Sequence, residues 1–506
     1  MMAAGLAAAL PSDSEEDEEW GSIRKVVNEP PEDVQGDETW CSCIGMWLTC
    51  PICCLVGLTG GCAPCYVSYG IGSCSECSTN WCSVEGTVRR GRPCLMSWIW
   101  WRYVIAGVCA FAINMGSRLS LFIWEWGAYG YNRFWYHGVG IWSHSYEDVG
   151  KVLMSYQDRK ATFGCMNAPV PDLFASDILI FLSNDGNPNS QWAVIRQALH
   201  TLFLSGSDYN SRIAQLPSMI EKDWLNPSLA DLNDVALLQR MVAKSVFYVM
   251  FGIWIDDDEA TVLAGWRTSA GLFIFPRLVQ RFICNIGINK VKKLRVNTVD
   301  IIQDNGLEHV FEKMNEMLGP WQREQTVKLC DEIMYVIGFA GIGGTCACVE
   351  SCGAFLQAKK PSESPADKID FGEYDSPEKM VAAYKANQVA YIKEVCRQDP
   401  PVTSASHVVK EEVEATLAGR PFTFPKGTVA QYVVSMANRD EAKFPEPEMF
   451  DPTRGNLNET FTWNGAFGDP GMDGLYPRIC PGRYLALDIT KAILDHATAA
   501  EYRLVN

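Results

Sequence analysis

From about residue 130 onward, apolar positions recur with helical spacing over Ser190–Leu204, Leu232–Phe251, Gln322–Phe339 and Glu373–Cys396. A recurrence of three to four residues places one face of each segment against a core, and four such segments predict a mainly helical domain. Short strand-like pieces lie around Gly427–Val434, so small sheets accompany the helices. The pattern upstream is different. Thr39 to Ser75 contains no charged residue, yet Gly60-Gly61 and Ala63-Pro64 break it. A second apolar stretch, Cys94 to Trp124, follows Arg89-Arg90-Gly91-Arg92 and carries Trp98, Trp100 and Trp101 as an interfacial belt. Arg102 and Arg118 bracket its uncharged interior, which fits a short span with snorkelling arginines or a helix lying on the surface. The reading is a membrane anchor within residues 45–124, with endoplasmic reticulum or plastid as the expected membrane.

Charge divides the chain further. Residues 1–38 hold eleven acids against two bases, within a formal net charge of −17. The block Asp13-Ser14-Glu15-Glu16-Asp17-Glu18-Glu19 cannot bury enough apolar surface to order itself. The expected organisation is therefore an acidic disordered tail (1–38), a Cys-rich apolar segment (39–93), a membrane anchor (94–124) and a folded domain (130–506). No basic stripe appears, so nucleic acid is not an expected partner.

Of 20 cysteines, eleven lie between Cys41 and Cys94. Cys50/Cys53, Cys62/Cys65 and Cys74/Cys77 form three C-x-x-C pairs, each starting twelve residues after the last. Two thiolates on one turn can clamp zinc, but the greasy linkers equally suit a membrane-embedded or lipidated cluster. The other cysteines are scattered and do not form a secreted disulfide framework.

The sharpest chemical signal is Tyr476-Pro-Arg478-Ile-Cys480-Pro-Gly482-Arg-Tyr-Leu-Ala486. A cysteine thiolate can hold haem iron and push electron density toward the sixth position. Such a cysteine needs a close backbone approach, which Gly482 allows, and stabilisation of its charge by iron, backbone donors and a following helix N-terminus. Arg478 lies two residues upstream, a cation for the haem propionates.

This segment resembles the C-x-G-x-x-L-A signature of the cytochrome P-450 superfamily. Three more motifs follow the family's order: Trp192-x-x-x-Arg196, Glu394-x-x-Arg397, and Phe450-Asp-Pro-Thr-Arg454. The resemblance covers roughly Val139 to the C-terminus. It implies the cytochrome P-450 fold and a haem b (iron protoporphyrin IX) cofactor ligated by Cys480. Trp192, Arg196, Arg478 and Gly482 are then expected at the cofactor, and Glu394, Arg397 and Arg454 as a structural triad.

The distal helix is expected over Tyr335–Thr345. Oxygen-activating relatives carry an acid and an alcohol there as proton donors. This chain has Gly343 and Gly344 at those places, with Thr345 one position late. Gly338-Phe-Ala-Gly-Ile-Gly-Gly344 is instead similar to the G-F-x-x-x-G-G segment of allene oxide synthases and hydroperoxide lyases, and Thr462-Trp-Asn-Gly465 is a second likeness. Ala340 stands where that group carries an asparagine. The chain ends 26 residues after Cys480, where members of the superfamily usually continue through a hairpin lining the substrate pocket.

The resemblance thus implies first an enzyme that rearranges fatty-acid hydroperoxides, with a lipid as its small-molecule substrate. The second reading is a membrane-bound monooxygenase fed by an NADPH-dependent reductase, and the third a non-catalytic haem protein. No H-E-x-x-H, G-x-S-x-G or G-x-x-x-x-G-K motif offers other chemistry, and Gly341–Gly344 lies in a helical pattern rather than after a strand.

Overall fold

A computed structural model describes residues 139–141, 145–155, 179, 182, 184, 186–269, 285–322, 332, 335–360, 369–402, 404–408, 412–417, 420–424, 429–468 and 474–499. The acidic tail, the C-x-x-C segment and the anchor expected over residues 1–124 lie outside the described residues. Among the described residues, no helix is long and apolar enough to cross a membrane, and no group of three or more metal-ligating side chains occurs.

The chain is mainly helical with small sheets. Strand β1 (Val139–Ile141) and helix α1 (Tyr146–Leu153) open it. There follow α2 (Gln191–Phe203), α3 (Gly206–Asp223), α4 (Val235–Phe251), α5 (Asp257–Ser269), α6 (Asn285–Asp304) and α7 (Glu308–Met317). A π-helical stretch, Tyr335–Ile342, runs directly into α8 (Gly343–Leu356). Helices α9 (Pro377–Ala386) and α10 (Gln388–Gln398) come next. Strands β2 (Ser404–Val408), β3 (Val413–Leu417), β4 (Arg420–Phe424) and β5 (Val429–Val433) precede a two-stranded hairpin, β6 (Phe461–Thr462) and β7 (Gly465–Ala466). Helix α11 (Arg483–Ala497) closes the described fold.

Strand β5 lies centrally in a three-stranded sheet, parallel to β1 and antiparallel to β2, while β3 and β4 form a separate antiparallel pair. The main core gathers α2 to α11 around Phe247, Trp266, Phe355, Tyr391 and Ile493. Lys244, 2% exposed, is a cation inside this packing, and it pairs with Asp223 at 2.7 Å and Asp257 at 2.5 Å. Those carboxylates end α3 and begin α5, so one buried ammonium ties three helices together. Losing either carboxylate would leave charge without full compensation in the interior.

Two expected helices need correction. The pattern over Glu373–Cys396 is broken at Asn387, whose extended backbone (φ −155°) separates α9 from α10. The Asn387 side chain accepts the Ala390 N–H at 3.1 Å, so the capping bond prevails over continued periodicity. Of the segment read as one helix over Gln322–Phe339, the described residues are Gln322, Glu332 and Tyr335–Phe339; Glu332 is α-helical, and the helix from Tyr335 onward is wound as a π-helix. Uniformly apolar Tyr335–Ile342 carries no periodic signal that would separate a π from an α helix.

Candidate functional site

The Cys480 loop is built on the β6–β7 hairpin. Thr462 pairs with Gly465, leaving Trp463 and Asn464 as the two turn residues. The Trp463 carbonyl accepts the Cys480 N–H at 2.8 Å. Gly465 lets the hairpin lie flat on this loop, because a Cβ there would stand 2.9 Å from Ile479 Cδ1 and from Tyr476 Cγ. Asn438 fixes the hairpin from below: its Nδ2 donates to Phe461 O at 2.7 Å, and its Oδ1 accepts Phe461 N–H at 2.8 Å.

Cys480 itself precedes α11, whose N-terminal cap is Gly482. Burial pushes its thiol above the ordinary range, while the Gly482 N–H and the Arg196 and Arg483 guanidiniums pull it down without fully offsetting the burial. A sulfur in this setting ionises fully only with a cation at it, which is the condition of thiolate ligation to a metal. A Cβ at Gly482 would come within 3.9 Å of the sulfur.

Three arginines surround the loop. Arg196 Nη2 donates to Ile479 O, Arg478 Nη1 donates to Leu182 O at 2.9 Å, and Arg483 Nη1 donates to Cys480 O at 3.2 Å. Trp192, 7% exposed, lies between two of them, with the Arg196 and Arg478 guanidiniums 5.3 and 5.1 Å from its ring. Ser190 caps α2 by accepting the Ala193 N–H at 3.3 Å, and this fixes where Trp192 and Arg196 emerge. One sulfur beside a helix N-terminus, with cations stacked on one indole, fits a planar metal cofactor bearing carboxylates. The chemistry of this donor set therefore suits haem. Arg483 was not singled out from sequence; its signal was its place immediately after Gly482.

Glu394 and Arg397 are both fully buried. Arg397 donates to Glu394 at 2.7 and 2.8 Å, and to the carbonyls of Asn438, Pro447 and Met449 at 2.9–3.1 Å. Arg454 Nε lies 3.5 Å from Glu394 Oε1, and its other nitrogens bind the carbonyls of Pro445, Glu446 and Met449. The three expected triad residues are together, and they clamp the segment leading to the hairpin.

The expected distal helix is the π stretch with the start of α8. Ile337 and Ile342 are fully buried, whereas Ala340 is exposed and Gly341, Gly343 and Gly344 are partly so. One face of this helix is therefore not covered by packing. The π turn brings Gly338 O to 3.7 Å from where a Gly343 Cβ would stand. A Gly344 Cβ would face Trp463 Nε1 at 3.8 Å, which connects the distal helix to the Cys480 hairpin. Thr345 is 3% exposed and so sits in the packed interior, away from the uncovered face. Tyr476 is buried against Phe461.

Residues 389–497 match the family model described as cytochrome P450. The chain is similar to luvungin A synthase of Citrus sinensis, 27% identical over 124 residues, which cover 24% of each chain. It is also similar to "Probable cytochrome P450 4s3" of Drosophila melanogaster, 33% identical over 132 residues, covering 26% of this chain and 25% of the relative. The chain thus spans about a quarter of the length of the curated relatives it matches. Among solved structures, cytochrome P450 CREJ in complex with (4-ethylphenyl) dihydrogen phosphate aligns with TM-score 0.49 and 16% identity, over 74% of this chain and 89% of that one.

Proposed function

We propose that this chain is a haem-thiolate enzyme of the cytochrome P450 superfamily, binding haem b through Cys480 and rearranging fatty-acid hydroperoxides without external electrons. The superfamily is supported by the family match across residues 389–497. The hydroperoxide reading rests on this chain's own residues rather than on the relatives it matches.

The observation that carries it is the glycine pair on the distal helix. Gly343 and Gly344 stand where an oxygen-activating enzyme needs an acid and an alcohol, and Thr345 is buried away from the uncovered face. General acid–base groups typically contribute ~10²–10⁴-fold, so oxygen activation without both would be slow. A hydroperoxide already contains its O–O bond and does not require that proton delivery.

Bound haem would supply cleavage of the O–O bond. The chain's residues have separate tasks. Cys480 is the ligand, with the Gly482 N–H beside it. Arg196 and Arg478, on either side of Trp192, hold the propionates. Gly341, Gly343 and Gly344 leave room for the peroxide and acyl chain along the helix. Glu394, Arg397 and Arg454 keep the hairpin segment in place and take no part in bond making. Membrane association through residues 94–124, in endoplasmic reticulum or plastid, would place the enzyme where lipid substrates partition.

The second reading is a reductase-dependent monooxygenase, and what favours it is similarity to a protein named as a synthase and another named as a cytochrome P450. Purified ferric protein incubated with a fatty-acid hydroperoxide, without NADPH, separates the two. Peroxide loss with a rearranged product is expected. An untouched peroxide, together with substrate oxidation once a reductase supplies electrons, would establish the second reading.

A further inference from the structure

Tyr335–Ile342 is wound as a π-helix, a rare form that occurs mostly as single turns within α-helices and often at functional sites. Its two sides differ. Gly338 is buried, whereas Ala340, two residues on and therefore roughly opposite around the helix, is exposed. The Trp266 indole stands behind Gly338. A Cβ on Gly338 would fall 2.5 Å from Trp266 Cγ, so the ring lies directly on the helix backbone.

The ring has little freedom to retreat. Trp266 is fully buried on α5, and its Nε1 donates to Thr298 Oγ1 on α6 at 3.0 Å. The next residue, Arg267, pairs with Glu350 on α8 at 3.3 Å, and Gln239 on α4 donates to the same carboxylate at 2.9 Å. Helix α5 is thus fastened to α8 beyond the glycines, while Trp266 bears on the π stretch ahead of them. Between these two points lie Gly341, Gly343 and Gly344, on the partly uncovered face. A close-packed interior transmits displacement rather than absorbing it, so what stands behind Gly338 fixes how far that face projects.

We propose that Trp266 is a positioning residue that sets the depth of the distal cavity, and with it the size of the ligand admitted beside Gly343 and Gly344. The proposal rests on the haem assignment made above and is independent of the reaction carried out there. Adding bulk between Gly338 and the indole advances the uncovered face and makes the cavity shallower. Removing the indole lets the helix settle back, because a core closes partly around a deleted side chain, and the cavity deepens.

The test titrates the ferric holoenzyme, followed by its haem absorption, with imidazole and with phenylimidazole. Both bind haem iron through a ring nitrogen, and they differ by one phenyl ring. The ratio of their dissociation constants reads cavity size, whereas general damage to the haem site weakens both ligands alike. Gly338→Ala should disfavour phenylimidazole relative to imidazole by about 5- to 10-fold, the effect of overpacking by one methyl. Trp266→Ala should favour it by a similar factor. Gly338→Ala retains the indole and carries the test alone if Trp266→Ala does not fold. A ratio equal to that of the wild type, or a shift in the same direction in both variants, would overturn the proposal. The two proposals fail separately. An unchanged ratio in a holoenzyme that consumes hydroperoxides removes the wedge and keeps the reaction. Opposite shifts in a holoenzyme that leaves hydroperoxides intact keep the wedge and remove the reaction.

Discussion

Replacing Gly338 by alanine tests how the distal helix is seated. In an ordinary exposed helix the change would stabilise the fold, since glycine is about 0.5–1 kcal/mol worse than alanine there. At Gly338 the new Cβ would meet three atoms of the Trp266 indole, at 2.5, 2.7 and 2.8 Å. Trp266 cannot step aside easily. It is fully buried on α5, and its Nε1 donates to Thr298 Oγ1 at 3.0 Å, while that hydroxyl donates to Leu294 O at 2.8 Å. Overpacking a tight core costs ~1–3 kcal/mol, which outweighs the propensity gain and leaves a net loss of about 1–2 kcal/mol. Gly343→Ala is the matched control, because its Cβ finds only Gly338 O, at 3.7 Å. That variant should be neutral or more stable by about 0.4–1 kcal/mol. Urea unfolding of the haem-loaded proteins, followed by circular dichroism, measures both. If Gly338→Ala is as stable as Gly343→Ala, Trp266 does not rest on Gly338 and the placement of the π stretch is wrong.

Arg397→Leu should cost ~3–5 kcal/mol in the same unfolding assay, because Glu394 would remain buried beside a missing partner; stability close to wild type would remove the pair from the fold's support. Arg196→Ala should lower haem retention by roughly 10- to 100-fold, the effect of one charge-assisted contact, read from haem transfer to an acceptor protein. Unchanged retention would take Arg196 away from the propionates. Removing residues 1–125 should release a folded, haem-loaded protein from the membrane fraction; persistent sedimentation would place a membrane contact within the domain itself.

Much of the site could be read before any coordinates, because its parts are local. Cys480 and Gly482 sit two residues apart in one loop, and Glu394 and Arg397 share one helical turn. Their spacing alone brings them together. Trp192 and Arg196 likewise lie on one face of α2, and the Ser190 cap that fixes them is visible as a serine ahead of an apolar run. What stayed hidden depends on distant segments meeting. Trp266 on Gly338 and Trp463 on Gly344 pair residues far apart in sequence, and no periodicity encodes either contact. The break at Asn387 is hidden for a different reason: apolar spacing continues across it, and the side-chain bond from Ala390 N–H marks the new helix start. The π stretch was hidden because Tyr335–Ile342 is apolar throughout and offers no phase to follow.

The ferrous carbonyl spectrum of the haem-loaded protein, recorded for the wild type and for Cys480→Ser, tests the haem-thiolate assignment most directly. The expected result is the red-shifted Soret band of thiolate-ligated haem in the wild type and its loss in the variant. A thiolate spectrum that survives in Cys480→Ser, or one that never appears in the wild type, would contradict it.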